Sequence, residues 1–197
     1  MKLVSTEKDY NSMAISIESI LDETKLLPEN VFRPNFRYFL FITFDELFMP
    51  LFFENIKRYI VEVNEKNFWL TAINPDPKLY FGFNFDFFGA IEFSSSDTED
   101  NFLSALNDYP EDSPADALAH NSNLLMVFSS SNRWAIYGDR DADIAICAFS
   151  DRELMELFKL TYGSDLLGGL KSAAEHAYGA AGNDELLAKF CDNYIAA

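Results

Sequence analysis

Three short apolar segments in the second half of the chain constrain its fold most. LLMVFSS, RWAIYG and DIAICAF occupy residues 124–130, 133–138 and 143–149, and only short polar stretches separate them. Apolar runs of this length, bounded by Ser, Asn, Gly and Asp, predict β-strands. Because a connection of only a few residues joins antiparallel neighbours, the sequence predicts an antiparallel sheet here.

The aromatic residues are concentrated earlier in the chain. Of the 31 Phe, Tyr and Trp residues, 19 lie between Phe32 and Phe93, so this half should supply much of the core. Within it, Phe68–Ile73, Lys78–Phe85 and Phe87–Ser94 are predicted strands. In Lys78–Phe85 every second residue is apolar, the pattern of a strand with one buried face.

Helical periodicity flanks these strands. Apolar residues spaced by three and four predict a helix over Glu7–Glu23 and helical structure over Phe44–Val63, in which Pro50 either breaks or starts a helix. The phenylalanines before Asp45 would also suit a buried strand. Asp151 is the predicted cap of the first C-terminal helix. The order predicts an α+β fold, an antiparallel sheet with helices packed on one side and a helical C-terminus. We expect a single domain over residues 1–197, comprising an N-terminal helix (7–23), an aromatic-rich core with strands (32–149) and C-terminal helices (151–197).

Charge narrows the choice of partner. The formal net charge is −17, from 32 Asp and Glu against 15 Lys and Arg. Nucleic-acid binding requires cationic surface, so DNA and RNA are not expected partners. The electrostatic field of this negative charge would steer a basic protein toward the chain. An acidic surface that serves only solubility is the alternative.

The sequence also bears on location. The N-terminal MKLVSTEKDYNSMAIS lacks the apolar region of a signal peptide, and no uncharged apolar run reaches the ~18 residues that a membrane span needs. Cys147 and Cys191 have no metal-ligand spacing and are expected to be free thiols. We therefore expect a cytoplasmic protein without membrane association.

The stretch GDRDAD, residues 138–143, sets aspartates at alternate positions, as calcium loops of the EF-hand type do. Such loops need Gly at position six and Glu at position twelve, where this chain has Ile144 and Ser150. We therefore predict a β-hairpin turn without a metal. In that turn Gly138 would take a positive φ, Asp139 and Asp141 would bond the backbone, and Arg140 would offset their charge.

No catalytic motif is present. The chain has only two histidines, His120 and His176, and contains neither HExxH nor GxSxG. No catalytic residue and no cofactor is therefore predicted. A hydrolase that uses a pair of carboxylates stays open, because a separation in space cannot be read from sequence.

The pattern W-x-I-x-G-D-R is formed by Trp134, Ile136, Gly138, Asp139 and Arg140. It resembles a segment of small, acidic, uncharacterised bacterial proteins, some of them similar to the immunity proteins of polymorphic-toxin loci. Counted over the whole hairpin, residues 129–149, the resemblance covers about a tenth of the chain. It implies an α+β cytoplasmic protein that neutralises a toxin by contact, and it implies no catalytic residues.

The leading hypothesis is a non-enzymatic acidic protein that binds a basic partner protein such as a toxin, in the manner of an immunity-type inhibitor. The alternatives are a hydrolase with an unlocated carboxylate pair and an acidic structural module. The expected partner contacts are Trp134, Asp139, Arg140 and Asp141 around the turn, and Asp97, Glu99, Asp100, Glu111 and Asp112 in residues 97–114, which we name the acidic segment.

Overall fold

A computed structural model describes residues 1–108, 113–163, 166–180 and 182–195. These residues form one seven-stranded sheet in which every strand pair is antiparallel. The order across the sheet is β1-β4-β3-β5-β6-β7-β2. The strands are β1 (Lys2–Leu3), β2 (Tyr38–Ile42), β3 (Asn67–Asn74), β4 (Ala90–Ser94), β5 (Leu124–Ser129), β6 (Trp134–Asp139) and β7 (Ile144–Phe149).

The three strands expected in the second half of the chain are confirmed and lie near the middle of the sheet. β5 and β6 pair from Leu124 opposite Asp139, and β6 and β7 pair from Asp139 opposite Ile144. The sequence did not predict β1, and it left a strand before Asp45, where β2 lies, only as an alternative. β2 pairs with β7 at one edge, and the two-residue β1 pairs with β4 at the other.

The α+β class and the helical C-terminus are confirmed. Within the described residues, no helix combines the length and the apolar character that crossing a bilayer requires. The α-helices are α1 (Glu7–Ile20), α2 (Pro50–Glu62), α3 (Phe83–Phe85), α4 (Glu99–Asn107), α5 (Leu118–Asn121), α6 (Arg152–Tyr162), α7 (Leu170–Ala174) and α8 (Asp184–Asn193).

Helices cover both faces of the sheet, so the expectation that they pack on one side is wrong. On one face, strand residues such as Val127 pack with Phe53 of α2 and with α4 and α6. On the other, Phe128 and its neighbours pack with Ile17 of α1 and with α7 and α8. The reason is visible in β7, where all six residues are buried. A continuous apolar strand is typical of a sheet covered on both sides.

The predicted strand Lys78–Phe85 is helical instead. A π-helix, Pro77–Gly82, is followed directly by α3. Asp76 caps this segment, since its Oδ1 accepts the backbone N–H groups of Lys78 at 2.8 Å and Leu79 at 2.7 Å. A proline in the first turn after a capping aspartate is a strong helix start. This local signal outweighed the alternation of phenylalanines.

Helix starts elsewhere follow ordinary capping chemistry. α2 begins at Pro50, after a 3-10 helix over Phe44–Phe48, so Pro50 starts a helix and does not break one. Asp151 caps α6 as predicted, accepting the Leu154 N–H at 3.0 Å. Thr98 begins α4 with a capping box that it forms with Asn101.

Candidate functional site

The segment GDRDAD forms the turn between β6 and β7, as predicted. The Ala142 N–H donates to Asp139 Oδ1 at 3.1 Å, and the Asp143 N–H donates to the Arg140 carbonyl at 3.1 Å. The residue with positive φ is Asp143, at 48°, and not Gly138. Aspartate tolerates this conformation better than most residues do. The described residues contain no group of three or more side chains arranged to hold a metal.

Arg140 does not offset the charge of the aspartates beside it. Its guanidinium donates to the carbonyls of Ser122 at 2.9 Å and Ala119 at 2.8 Å. It also lies 4.7 Å from the ring centroid of Phe44, in a cation–π contact. Arg140 therefore fastens α5 and the residues after it to the turn, and its guanidinium is engaged within the fold.

Trp134 is not a surface residue either. Its side chain is fully buried, and Tyr59 packs edge-on against it with ring centroids 5.4 Å apart. The indole Nε1–H donates to Glu65 Oε2 at 3.0 Å. A buried tryptophan whose polar atom is paired is a core residue, so Trp134 cannot be a contact for a partner in the folded protein.

The acidic segment divides into structural and exposed residues. The Asp97 carboxylate accepts the backbone N–H of Ser94 at 2.8 Å and its hydroxyl at 2.9 Å, and it pairs with the amino group of Met1. Asp97 is thereby occupied within the fold. Glu99 and Asp100 are exposed in the first turn of α4. Glu111 and Asp112 lie outside the described residues.

The two predicted groups of acidic residues lie at opposite ends of the sheet. Asp97 bonds Ser94, at the end where β3 and β4 pair through Asn67. Asp139 pairs with Leu124 at the other end, which we name the turn end. The length of β5 separates the two ends by roughly 17 Å, at about 3.4 Å a residue. Glu99 and Asp100 therefore cannot share one small site with Asp139 and Asp141.

A groove of about 610 Å³ opens at the turn end. Leu26, Leu27, Leu124 and Ala177 give it apolar walls, and its polar lining is Asp139, Asp141, Asn74, Asn123 and Tyr178. We name it the turn-end groove. Its wall is fixed to the turn where His176 Nε2 lies 3.1 Å from Asp143 Oδ2.

The electrostatics of the turn-end groove centre on Asp139. Burial raises the pKa of this carboxyl, the neighbouring Asp141 raises it further, and backbone N–H groups offset part of the shift. No lysine, arginine or histidine in the described part of the chain forms an ion pair with Asp139. A half-buried carboxylate without a cation is costly and marks a candidate functional site.

Two tyrosine hydroxyls beside Asp139 are also unsatisfied. The hydroxyls of Tyr137 and Tyr178 are buried and have no hydrogen-bond partner among the described residues. Burial, with a contribution from the charge of Asp139, raises the pKa of Tyr178 to about 12. Both hydroxyls are thus neutral at physiological pH. Of the two tyrosines, Tyr178 lines the turn-end groove with Asp139, and Tyr137 does not.

The burial of Asp139 predicts a pH-dependent stability difference. Because the folded state holds this proton more tightly than the unfolded chain, the group's contribution to stability is lost as the pH rises through the interval between the two pKa values. Asparagine keeps an acceptor for Ala142 without the charge. We expect Asp139→Asn to raise the free energy of unfolding at about pH 7 and to lose that advantage near pH 3. Urea unfolding at both pH values measures this, and an equal or larger advantage in acid would contradict it.

Sequence reasoning found only part of this site. The GDRDAD pattern identified Asp139 and Asp141, but Asn74, Asn123 and Tyr178 join them only through strand pairing and the C-terminal helices. No local signal marks those three residues.

Comparison with known proteins assigns no function to the groove. No protein-family model, curated protein or solved structure matches the chain.

Proposed function

We propose that this chain is a non-enzymatic binding protein whose turn-end groove receives a basic side chain of a partner protein, in the manner of an immunity protein and its toxin. The observation that carries the proposal is the Asp139 carboxylate. It is half-buried in a groove, and no cation of the described residues pairs with it.

The lining of the groove suits lysine or arginine. Leu26, Leu27 and Leu124 offer apolar surface to the aliphatic part of such a side chain. Asp139 and Asp141 then accept hydrogen bonds from the charged end, and charge-assisted bonds are stronger than neutral ones. A cation from the partner would also remove the cost of burying Asp139 unpaired.

An exposed apolar pair lies at the same end of the sheet. Leu79 and Phe83 are 76% and 84% exposed, on the segment that connects β3 to β4 at the turn end. Protein interfaces combine apolar anchors with charged contacts around them. These two side chains do not line the turn-end groove itself, but large apolar side chains exposed at the same end of the sheet favour a contact surface over an acidic structural module.

The test is binding to a basic partner, with charge removed from either end of the sheet. The product of an adjacent toxin-like gene is the partner to titrate and to co-express. We expect the double variant Asp139→Asn, Asp141→Asn to weaken binding by about tenfold or more, because it removes the contacts at the bound cation. The control, Glu99→Gln with Asp100→Asn, removes equal charge at the opposite end and should change affinity about twofold, through steering alone.

Two outcomes would contradict this proposal. One is the absence of both binding and rescue from toxicity on co-expression. The other is an equal loss of affinity in both double variants, since net charge alone would then account for binding.

A carboxylate-dependent hydrolase is the second candidate, and the placement of Asp139 and Asp141 in one groove favours it. A carboxyl with a raised pKa is suited to act as a general acid. Hydrolysis of chromogenic aryl glycosides and aryl esters tests this candidate. Turnover that Asp139→Asn abolishes would support it, and no turnover by the wild type would reject it.

A further inference from the structure

A second groove, of about 290 Å³, lies on the face of the sheet that α1 covers, near the edge formed by β1 and β4. The strand register builds its floor. Lys2 of β1 pairs with Glu92 of β4, Glu92 with Trp69 of β3, and Trp69 with Phe128 of β5. Directly paired residues share one face of a sheet. The four side chains therefore form one row, which we name the Trp69 row.

Helix α1 forms the facing wall. Asp9, Ser12 and Ser16 line the groove at spacings of three and four, which puts them on one side of the helix. In the described part of the chain, the hydroxyls of Ser12 and Ser16 have no hydrogen-bond partner. The polar side of α1 thus faces the Trp69 row across the groove.

Trp69 is the aromatic surface of the groove. Its ring stacks on Phe128 with centroids 5.6 Å apart and planes at 21°, and Phe128 is buried, so the indole is supported from beneath. Trp69 itself is half-buried. Its Nε1–H has no acceptor among the residues that the structure describes, whereas the indole of Trp134 does have one.

The charged groups of the groove are already oriented. Lys2 Nζ lies 2.9 Å from Asp9 Oδ2, and Asn67 Nδ2 donates to Glu92 Oε1 at 2.7 Å. Fixed carboxylates with remaining acceptor capacity are suited to accept hydroxyl groups. With Asp9 and Glu92 against the single cation Lys2, the lining disfavours a phosphate or a carboxylate ligand.

We propose that this groove binds one uncharged pyranose sugar. The C–H face of the ring would pack on the Trp69 indole, and its hydroxyl groups would bond Asp9, Glu92, Ser12 and Ser16. A flat apolar surface edged by convergent hydrogen-bonding groups is the arrangement that an amphipathic ring requires. The volume is at the lower end for ligand pockets, so it suits a single ring. The site is independent of the turn-end groove.

Intrinsic fluorescence tests this site directly, because Trp69 and Trp134 are the only tryptophans of the chain and Trp134 is fully buried away from the groove. The probes are glucose, galactose, mannose and N-acetylglucosamine, each titrated to tens of millimolar. We expect at least one to give a saturable change with a dissociation constant on the order of millimolar, typical of a ligand of about a dozen heavy atoms.

A matched pair of variants on α1 completes the test. Ser16→Leu fills the groove while keeping a good helix former, and we expect it to weaken binding by about tenfold or more. Asn11→Leu adds the same side chain at an exposed position that does not line the groove, and it should bind like the wild type.

Three results would overturn the proposal. These are no saturable change with any of the four sugars, equal affinity in Ser16→Leu and the wild type, and saturation by adenosine where none of the sugars saturates. The last would identify a site for a nucleobase.

Discussion

Replacing Trp134 by alanine is expected to lower the free energy of unfolding by about 3–5 kcal/mol, the usual cost of deleting a fully buried large aromatic side chain. The indole is completely buried, and it packs edge-on against Tyr59. Its loss also leaves Glu65 without the Nε1–H donor. Urea unfolding of the variant and the wild type measures the difference.

Trp134→Phe separates packing from hydrogen bonding at the same position. Phenylalanine keeps most of the buried ring but cannot donate to Glu65, so we expect a smaller loss than with alanine. If Trp134→Ala cost less than about 1 kcal/mol, the side chain would behave as exposed. The interpretation of Trp134 as a partner contact would then return.

Gly138→Ala has the second largest expected effect. A Cβ built at this position would lie 2.5 Å from Leu47 Cδ1 and 3.0 Å from Phe44 Cδ2, closer than packed carbon atoms approach. Both neighbours are completely buried, so neither can move away easily. We expect a loss of about 1–3 kcal/mol from overpacking, measured by thermal or urea unfolding.

Gly179→Ala is the matched control for this substitution. Its Cβ would meet only Glu175 Cβ, at 3.7 Å, an ordinary contact, and its backbone is not left-handed. Because alanine favours helix over glycine, we expect this variant to be unchanged or more stable by up to about 1 kcal/mol. Equal destabilisation by both alanines would show that close packing is not the reason for glycine at position 138.

The sheet was predictable where its signals are local. β5, β6 and β7 are apolar runs joined by tight turns, and each pairs with its neighbour in sequence. The prediction of a strand over Lys78–Phe85 was wrong because the alternation of apolar residues competes there with the helix start formed by Asp76 and Pro77. Phe81 is buried and Phe83 is exposed, so the alternate residues share no face. The cover on both sides of the sheet follows from β7, whose residues are all apolar.

The candidate site was less predictable than the fold. Trp134 and Arg140 lie next to the acidic turn in sequence. The sequence alone does not distinguish a surface contact from a buried one at these positions. Tertiary packing decided between them, by burying the indole and by placing Phe44 and α5 around the guanidinium. The polar partners of Asp139 in the turn-end groove come from distant segments, which only long-range strand pairing assembles.

Backbone amide NMR during titration with a short arginine-rich peptide tests the central claim most directly. If the turn-end groove receives a basic side chain, shift changes should cluster at Asn74, Asn123 and residues 138–143, and Asp139→Asn should abolish most of them. Changes centred on Glu99 and Asp100, or spread over all acidic residues and unaltered by Asp139→Asn, would contradict it.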